Sequence, residues 1–322
     1  MTGDDGSVTA AATPLLKTLD MRLLEVPDVA PRVAVGRHAR SWRDYEWLTT
    51  LPMVLVHLGV FGLLWTGMSA STWVLCATLY FVRMFGVTGG YHRYFSHRTF
   101  KTGRVMQFLL ALLAESSSQR GVLWWAAHHR DHHKYSDTPQ DVHSPVQFGF
   151  WHSHVGWIYD RNSDTDWPRV KDLSRYPELV VLDKLWWLPP TLLGFAVWGI
   201  WGWEGLWGGF MLSTVLLWHG TFTINSLSHV WGKRRYATTD DSRNNWVLAL
   251  ITMGEGWHNN HHHFMGSTRQ GFFWWEVDLT FYALKVMSWL GLVWDLKAPP
   301  ARVYGREPAA TSPSVDATVD VG

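Results

Sequence analysis

The feature that most restricts this chain is where its apolar residues fall. Over all 322 residues the mean hydropathy is −0.08, close to balance. The apolar residues are nevertheless gathered into four blocks, roughly 47–65, 72–90, 187–203 and 206–226. A bilayer crossing takes about 20 mostly apolar residues, and in lipid a lone segment satisfies its own backbone only as a helix. The pattern therefore predicts an all-α integral membrane protein with four transmembrane helices. Pro189 and Pro190 lie near the start of the third block, where proline is tolerated. Trp47, Trp65, Trp73, Trp201, Trp203 and Trp207 stand at block ends, as an interfacial aromatic belt requires.

Charge orients the blocks. The connections at 66–71 and around Glu204 contain no Lys or Arg. The N-terminal region holds Lys17, Arg22, Arg32, Arg37, Arg40 and Arg43, the region between blocks two and three is rich in both types, and Lys233, Arg234 and Arg235 follow block four. The positive-inside rule then makes both termini and the central region cytoplasmic, in a multi-pass protein of a bacterial cytoplasmic membrane. Segment 272–296 is apolar and long, but it contains Glu276, Asp278 and Lys285, each costing about 2.5–3.5 kcal/mol near a helix centre. It reads as a helix docked on the cap, and 104–113 as one lying against the membrane. Arg83 should face the bundle or snorkel to the interface. The domain limits are a partly disordered N-terminal segment at 1–44, a membrane domain at 45–298 and a disordered tail at 299–322.

Histidine is concentrated in three stretches, YHRYFSH from Tyr91, HHRDHH from His128 and HNNHHH from His258. His129, His132 and His133 stand at i, i+3, i+4, as do His258, His261 and His262, which puts each trio on one helix face. His92 and His97 are five apart, about 140° round an α-helix, so they are expected to serve different metals or to flank the frayed end of a helix. All three stretches fall on the cytoplasmic side. Neutral imidazole is the commonest nitrogen ligand of transition metals, so a polynuclear metal site held by a cytoplasmic helical cap is the direct reading.

Several chemistries drop out. The single cysteine, Cys76, leaves no disulfide or Cys-ligated cluster within the chain. No phosphate-cradling glycine loop is evident, and a net charge of +1 gives no nucleic-acid footprint. A nitrogen ligand set suits Fe, Zn, Cu or Ni. Because spans run straight into the ligands, a lipid chain can lie beside the metals, and oxidation of an unactivated methylene calls for O2 on a redox metal, which favours iron. Zinc transport remains a second class, although it calls for ligands at mid-membrane depth, where these blocks have almost none.

The runs GVTGGYHRYFSHRTFK, WWAAHHRDHHKYSDTPQDVHSP with GFWHSHVGWI, and GEGWHNNHHHF resemble the histidine boxes of the membrane fatty acyl desaturases, nearest to the acyl-CoA Δ9 type, over about Trp47 to Leu296. KLWWLPPTLLGF from Lys184 and NSLSH from Asn225 match further segments. The resemblance implies a non-haem di-iron centre on His92, His97, His129, His132, His133, His229, His258, His261 and His262, with Asn225 holding a metal-bound water. His128 and His263 lie beside the matched positions. Asp131, Asp137, Asp141 and Glu255 are the acidic candidates for bonding the ligands' second nitrogens.

The implied reaction is O2-dependent insertion of a cis double bond, at Δ9, into a saturated acyl chain carried as acyl-CoA, acyl-lipid or acyl-carrier-protein. A related di-iron lipid hydroxylase is the alternative. Electrons are expected from an external ferredoxin, flavodoxin or cytochrome with its reductase, since no cytochrome b5-like extension is seen, and Lys233 to Arg235 could receive the donor. Upstream of the second box the family's headgroup-contacting polar residues are replaced by GVLWWAAH, leaving Gln119 and Arg120 to meet a phosphate. Cys76, Tyr80 and Trp125 are the tunnel candidates, with the bulk of Tyr80 expected to close the chain end.

Overall fold

The computed structural model describes residues 23–26, 46–160 and 164–305. The tail beyond 305, most of the N-terminal segment and its basic residues lie outside the described residues. What is described is mostly helical, and its sheet is one antiparallel pair, β1 (Lys101–Thr102) against β2 (Val293–Trp294), with Lys101 opposite Trp294.

The first apolar block forms α1 (Trp47–Gly59), a 3-10 turn at Val60–Gly62 and a last helical turn, Leu63–Thr66, ended by Gly67 at φ +71°. The second begins where the Ser69 hydroxyl accepts the Thr72 N–H, runs as α2 (Ala70–Phe85), and passes without a break into a π-helix, Gly86–Ser96. Glycine is required there: a Cβ on Gly86 would lie 2.9 Å from the Leu113 carbonyl, and one on Gly90 3.1 Å from that of Leu110. That close approach packs the π-helix on α3 (Arg104–Glu115). The second histidine stretch lies on α4 (Val122–Tyr135). Buried carboxylates fix its start, Glu115 accepting the Val122 N–H at 2.9 Å and Asp183 those of Leu123 and Trp124 at 2.7 and 3.0 Å. Short helix α5 (Phe150–His154) and α6 (Pro177–Lys184) follow.

The third and fourth blocks form α7 (Leu188–Glu204), a second π-helical stretch (Gly205–Leu212) and α8 (Ser213–Asn225). The chain reverses at Gly202, whose φ of 63° and ψ of −157° are open to glycine. A Cβ on Gly194 would meet the Phe210 ring at 3.1 Å, and one on Gly209 the Val197 side chain at 3.6 Å, pairings that lie across the bend. The two charge-poor connections meet, since the Ser69 N–H donates to the Glu204 carboxylate.

By length and composition one helix, Ala70–Ser96, can cross a membrane, and Pro177–Lys184 with Leu188–His229 forms a second candidate bent by 65°. Four separate spans are thus not reproduced as four long helices. The first block is interrupted by its 3-10 turn, and the last two share one folded-back run. An apolar belt still faces outward, with Leu64 87%, Trp65 78% and Ile200 72% exposed beside Phe61, Val74 and Phe195. A patch of that extent marks a membrane-associated surface.

Of the three charges that argued against a fifth span, the two acids are paired inside the cap and Lys285 is exposed. Beyond α9 (His258–His263), Asp278 opens α10 (Leu279–Trp289) by accepting the Phe281 N–H and also binds the buried Arg93 at 2.9 Å. Glu276 pairs with Arg235. Arg83 faces the bundle, donating to Thr214 Oγ1 at 2.7 Å and Ser213 Oγ at 2.6 Å.

Candidate metal centre

The cap folds the histidine stretches into two nitrogen clusters. One joins His92, His97, His129, His133 and His261, and the other His132, His229, His258 and His262; within each, the ligand atoms lie within 4.8 Å of one another. In the larger cluster Nε2 pairs stand 3.0 Å apart for His92 and His261, 2.9 Å for His97 and His129, and 2.9 Å for His133 and His261. His229 and His258 are 3.0 Å apart in the smaller.

One expectation is corrected by this partition. His92 and His97 serve one cluster, because the chain there is π-helical and its i→i+5 bonds stack residues five apart. Each trio is divided between the clusters: its i, i+4 pair shares one and the residue at i+3 reaches the other. His129 and His133 thus part from His132, and His258 and His262 from His261.

Carboxylates orient the rings. His132 Nδ1 meets Asp141 at 3.0 Å, His229 Nδ1 meets Asp137 at 2.9 Å, His262 Nδ1 meets Asp240 at 2.6 Å and His92 Nδ1 meets Glu255 at 2.5 Å. Gln270 approaches the same nitrogen of His92 at 3.2 Å. Burial alone would raise these acids, yet the His229 contact with help from Ser144 and Asp241 brings Asp137 down to about 2, and the partner histidines hold Asp141 and Asp240 lower still. A carboxylate on Nδ1 fixes the proton there and leaves Nε2 a lone pair. Burial first, then neighbouring rings, hold His97, His129, His133, His258 and His261 well below the ordinary imidazole value, so they too are neutral ligands.

These residues fit metal ions. Lone pairs facing one another in a buried space repel unless a cation lies between them, and the buried His262 Nε2 has no hydrogen-bond partner. Nitrogens at about 2.1 Å from a metal and at right angles stand about 3.0 Å apart, the edge length seen in both clusters.

The remaining candidates are placed as follows. Asp131 is turned away from the clusters and pairs with Arg169. His128 bonds the Trp124 carbonyl at 2.8 Å, and His263 stacks on Tyr236 at 4.1 Å. A cavity is lined by His129 together with Asn225, Gln119, Arg120 and Trp125. Trp125 stacks between Tyr91 at 5.3 Å and His129 at 4.9 Å, Gln119 donates to Thr221 at 3.0 Å, and Arg120 lies over Trp124 and Trp186 at 5.8 and 5.4 Å. Cys76, buried on α2, and Tyr80, which donates to the Ile251 carbonyl at 2.6 Å, are not among the residues lining it. Within the basic run, Arg234 is engaged by Asp241 at 3.0 Å and Arg235 by Glu276 and Asn260.

Sequence reasoning missed Asp240, Gln270 and Arg93. Arg93 binds Glu255 at 3.1 Å and Asp278 at 2.9 Å, so it holds ionised the carboxylate that orients His92. Its signal was its place inside the first box, a cation next to a ligand in an otherwise buried helix. Asp240 stands in a run of polar residues between two boxes, with nothing local to single it out.

Residues 70–288 match the fatty acid desaturase family. The chain is 36% identical over 286 residues to the Delta-9 desaturase-like 5 protein of Arabidopsis thaliana, covering 83% of this chain and 92% of that one. It is 36% identical to the sn-1 stearoyl-lipid 9-desaturase of Anabaena variabilis (78% and 94% covered) and 36% identical to the acyl-CoA C20 Delta5-desaturase of Anemone leveillei (71% and 74% covered).

Proposed function

Because the chain belongs to the fatty acid desaturase family, we propose that it is an O2-dependent acyl desaturase placing a cis double bond at Δ9 of a saturated acyl chain. The observation that carries this reading is the pair of all-histidine clusters, one ligand of which, His129, lines a cavity together with Trp124, Trp125, Trp157, Trp186 and Trp218. Iron is the metal proposed for both, held by His92, His97, His129, His133 and His261 on one side and by His132, His229, His258 and His262 on the other. When bound, it supplies O2 chemistry able to oxidise a methylene that has no acidic proton.

The chain's own residues do the rest. Asp137, Asp141, Asp240 and Glu255 hold the rings in one orientation, with Nδ1 engaged and Nε2 left to ligate. Trp125, stacked on both Tyr91 and His129, is proposed to fix the cavity wall against which an acyl chain lies beside the larger cluster. Asn225, at the end of α8 and on the cavity wall, can position a water next to the smaller. Tyr80 is proposed to limit chain length through the α2–α8 contact opposite Gly220.

Acyl-CoA is the proposed carrier, with Arg120 meeting its phosphates at the cavity. An acyl-lipid is the second reading, favoured by the relative named a stearoyl-lipid desaturase. Electrons come from a separate ferredoxin, flavodoxin or cytochrome system. The protein is proposed to be multi-pass, with both termini and the metal centre cytoplasmic. The deciding experiment is expression in a host lacking unsaturated-fatty-acid synthesis, with double-bond position read by mass spectrometry. A Δ9 monoene that disappears with His129→Ala is expected; no new unsaturated lipid, with iron and a competent donor present, would sink the assignment, and an alcohol product would make it a hydroxylase.

A further inference from the structure

Three histidines outside the metal clusters are joined end to end. His57 on α1 bonds through Nδ1 to the Met53 carbonyl at 2.8 Å and through Nε2 to His219 Nε2 at 3.1 Å. His219 on α8 reaches His154 Nε2 from its own Nδ1 at 3.0 Å, and His154 Nδ1 meets Ser226 Oγ at 2.9 Å. The Ser226 hydroxyl also lies 2.9 Å from the Phe222 carbonyl. His219 spends its two nitrogens on different partners, so the rings form a line and not a cage around a common point.

The count of protons along this line has a consequence. Both ends, the Met53 and Phe222 carbonyls, only accept, while each neutral imidazole carries one N–H and Ser226 one O–H. With all rings neutral, Ser226 donates to His154, each ring passes its single N–H onward, and His57 donates to Met53. The Phe222 carbonyl then keeps the Ser226 backbone N–H, 3.1 Å away. With one proton added, His154 is protonated on both nitrogens, Ser226 rotates to the Phe222 carbonyl, and every contact in the line is filled. The two complete arrangements differ by one proton and one hydroxyl rotation, and the added proton can shift from His154 to His219 through their shared bond.

Both ends of the line border the cavity, whose lining includes Met53 and Trp218 at the His57 end and Phe222 and Asn225 at the Ser226 end. Ser226 follows Asn225 in sequence, Ser153 beside His154 donates to the Asn225 carbonyl at 2.8 Å, and Trp218, which packs on His57 at 5.7 Å, lines the same cavity. The titratable neighbours are His152, bonded to the Val142 carbonyl, Tyr159, donating to Met53 Sδ, and Tyr80, bonded to Ile251; Arg83 is turned to Ser213 and Thr214. No carboxylate bonds any of the three rings among the described residues, so their charge is set by the line itself.

We propose that His57, His219, His154 and Ser226 form a proton reservoir that takes one proton from water and releases it through the Ser226 hydroxyl to the Asn225 side of the cavity. This rests on the desaturase reading. Each such turnover consumes one O2, two electrons from the external donor, two protons from the medium and two hydrogen atoms from the acyl chain, and yields the alkene and two waters. The reservoir handles medium protons only and returns to its neutral arrangement after release.

The test uses the full chain in lipid nanodiscs with ring-15N histidine. Lowering the pH from about 8 to about 5 should load one proton shared by the three rings, a signal absent from His219→Gln, which bonds but carries no proton. In turnover, His219→Gln and Ser226→Ala should lower kcat by about 100-fold, the low end for a positioned acid–base group, with KM and metal content unchanged and the solvent isotope effect altered. Ser226→Thr, which keeps the hydroxyl, should restore most of the rate. No proton gained by these rings, or both variants turning over with wild-type kcat, pH profile and isotope effect, would overturn the proposal. If His219→Gln fails to fold, the wild-type titration and Ser226→Ala decide. The titration needs no turnover, so a wild type that makes no alkene ends the functional reading without touching this test.

Discussion

The backbone N–H of His97 donates to the carbonyl of His92 at 3.2 Å, a bond that spans five residues and sets both rings in one cluster. An α-helical turn would have put them about 140° apart. The wider turn is held open from outside, where Gly86 and Gly90 let the π-helix lie directly on the α3 backbone.

Gly86→Val should therefore damage the metal centre from a distance. The added side chain must push α3 away from a Leu113 carbonyl that a bare Cβ would already approach to 2.9 Å. Overpacking of this kind costs about 1–3 kcal/mol. The expected outcome is a lower melting temperature and less bound metal per chain, read by calorimetry and elemental analysis. Full metal occupancy at an unchanged melting temperature would show that the π-helix does not depend on this contact.

Asp240→Asn and Asp131→Asn should separate orientation of a ligand from proximity in sequence. Asp240 bonds His262 Nδ1 at 2.6 Å, whereas Asp131, adjacent to the ligand His132 in the chain, pairs with Arg169. Loss of a carboxylate behind a metal-bound imidazole typically costs about 10- to 100-fold in affinity or activity. Asp240→Asn should show that loss in a metal-binding titration, and Asp131→Asn should show much less. Equal effects would mean that Asp131 acts through a contact other than Arg169.

Much of the centre could be read from spacing, and the unread part has a physical cause. The i, i+3, i+4 trios and their common side of the apolar blocks were legible because helical periodicity and charge asymmetry are local properties. The division of His129 and His133 from His132 was not, since it depends on where α9 lies against α4. Asp240 and Gln270 reach their histidines across chain separations that no short motif records. The apolar blocks were equally legible, but the 3-10 turn at Val60–Gly62 and the reversal at Gly202 set how each one is built into helix.

Acid should unfold the metal-free protein in an order set by these shifts. His97, His129, His133, His258 and His261 stay neutral in the fold well below their ordinary value of 6.5, so below that pH the unfolded chain binds more protons and stability falls. Each such group contributes a slope of about 1.4 kcal/mol per pH unit once the unfolded form is protonated and the folded form is not. Asp137, held at about 2 against an ordinary 3.8, adds a second loss, its stabilisation being complete above 3.8 and gone as pH falls through 2. The melting temperature of the apo protein should thus fall steadily from pH 7 to pH 5 and more steeply near pH 3. A flat profile down to pH 5 would mean the rings are already charged in the fold.

Arg120→Gln should tell which carrier enters the cavity. Arg120 is the only Lys or Arg among the described residues lining it, and its guanidinium lies over Trp124 and Trp186 at a backbone position with φ of 70°. A phosphate-bearing carrier would draw that cation into a charge-assisted bond, worth about 1.5–3 kcal/mol, whereas an uncharged galactolipid would not. Removing the charge should raise KM for acyl-CoA by about tenfold or more and leave kcat unchanged, because the contact is made equally in the ground and transition states. The same variant should alter KM for a neutral acyl-lipid by less than about twofold, since only the stacking on tryptophan is lost. Steady-state assays with both substrates in nanodiscs give the comparison. An equal rise for both would place Arg120 in shaping the cavity wall, and no rise for acyl-CoA would move the carrier away from it.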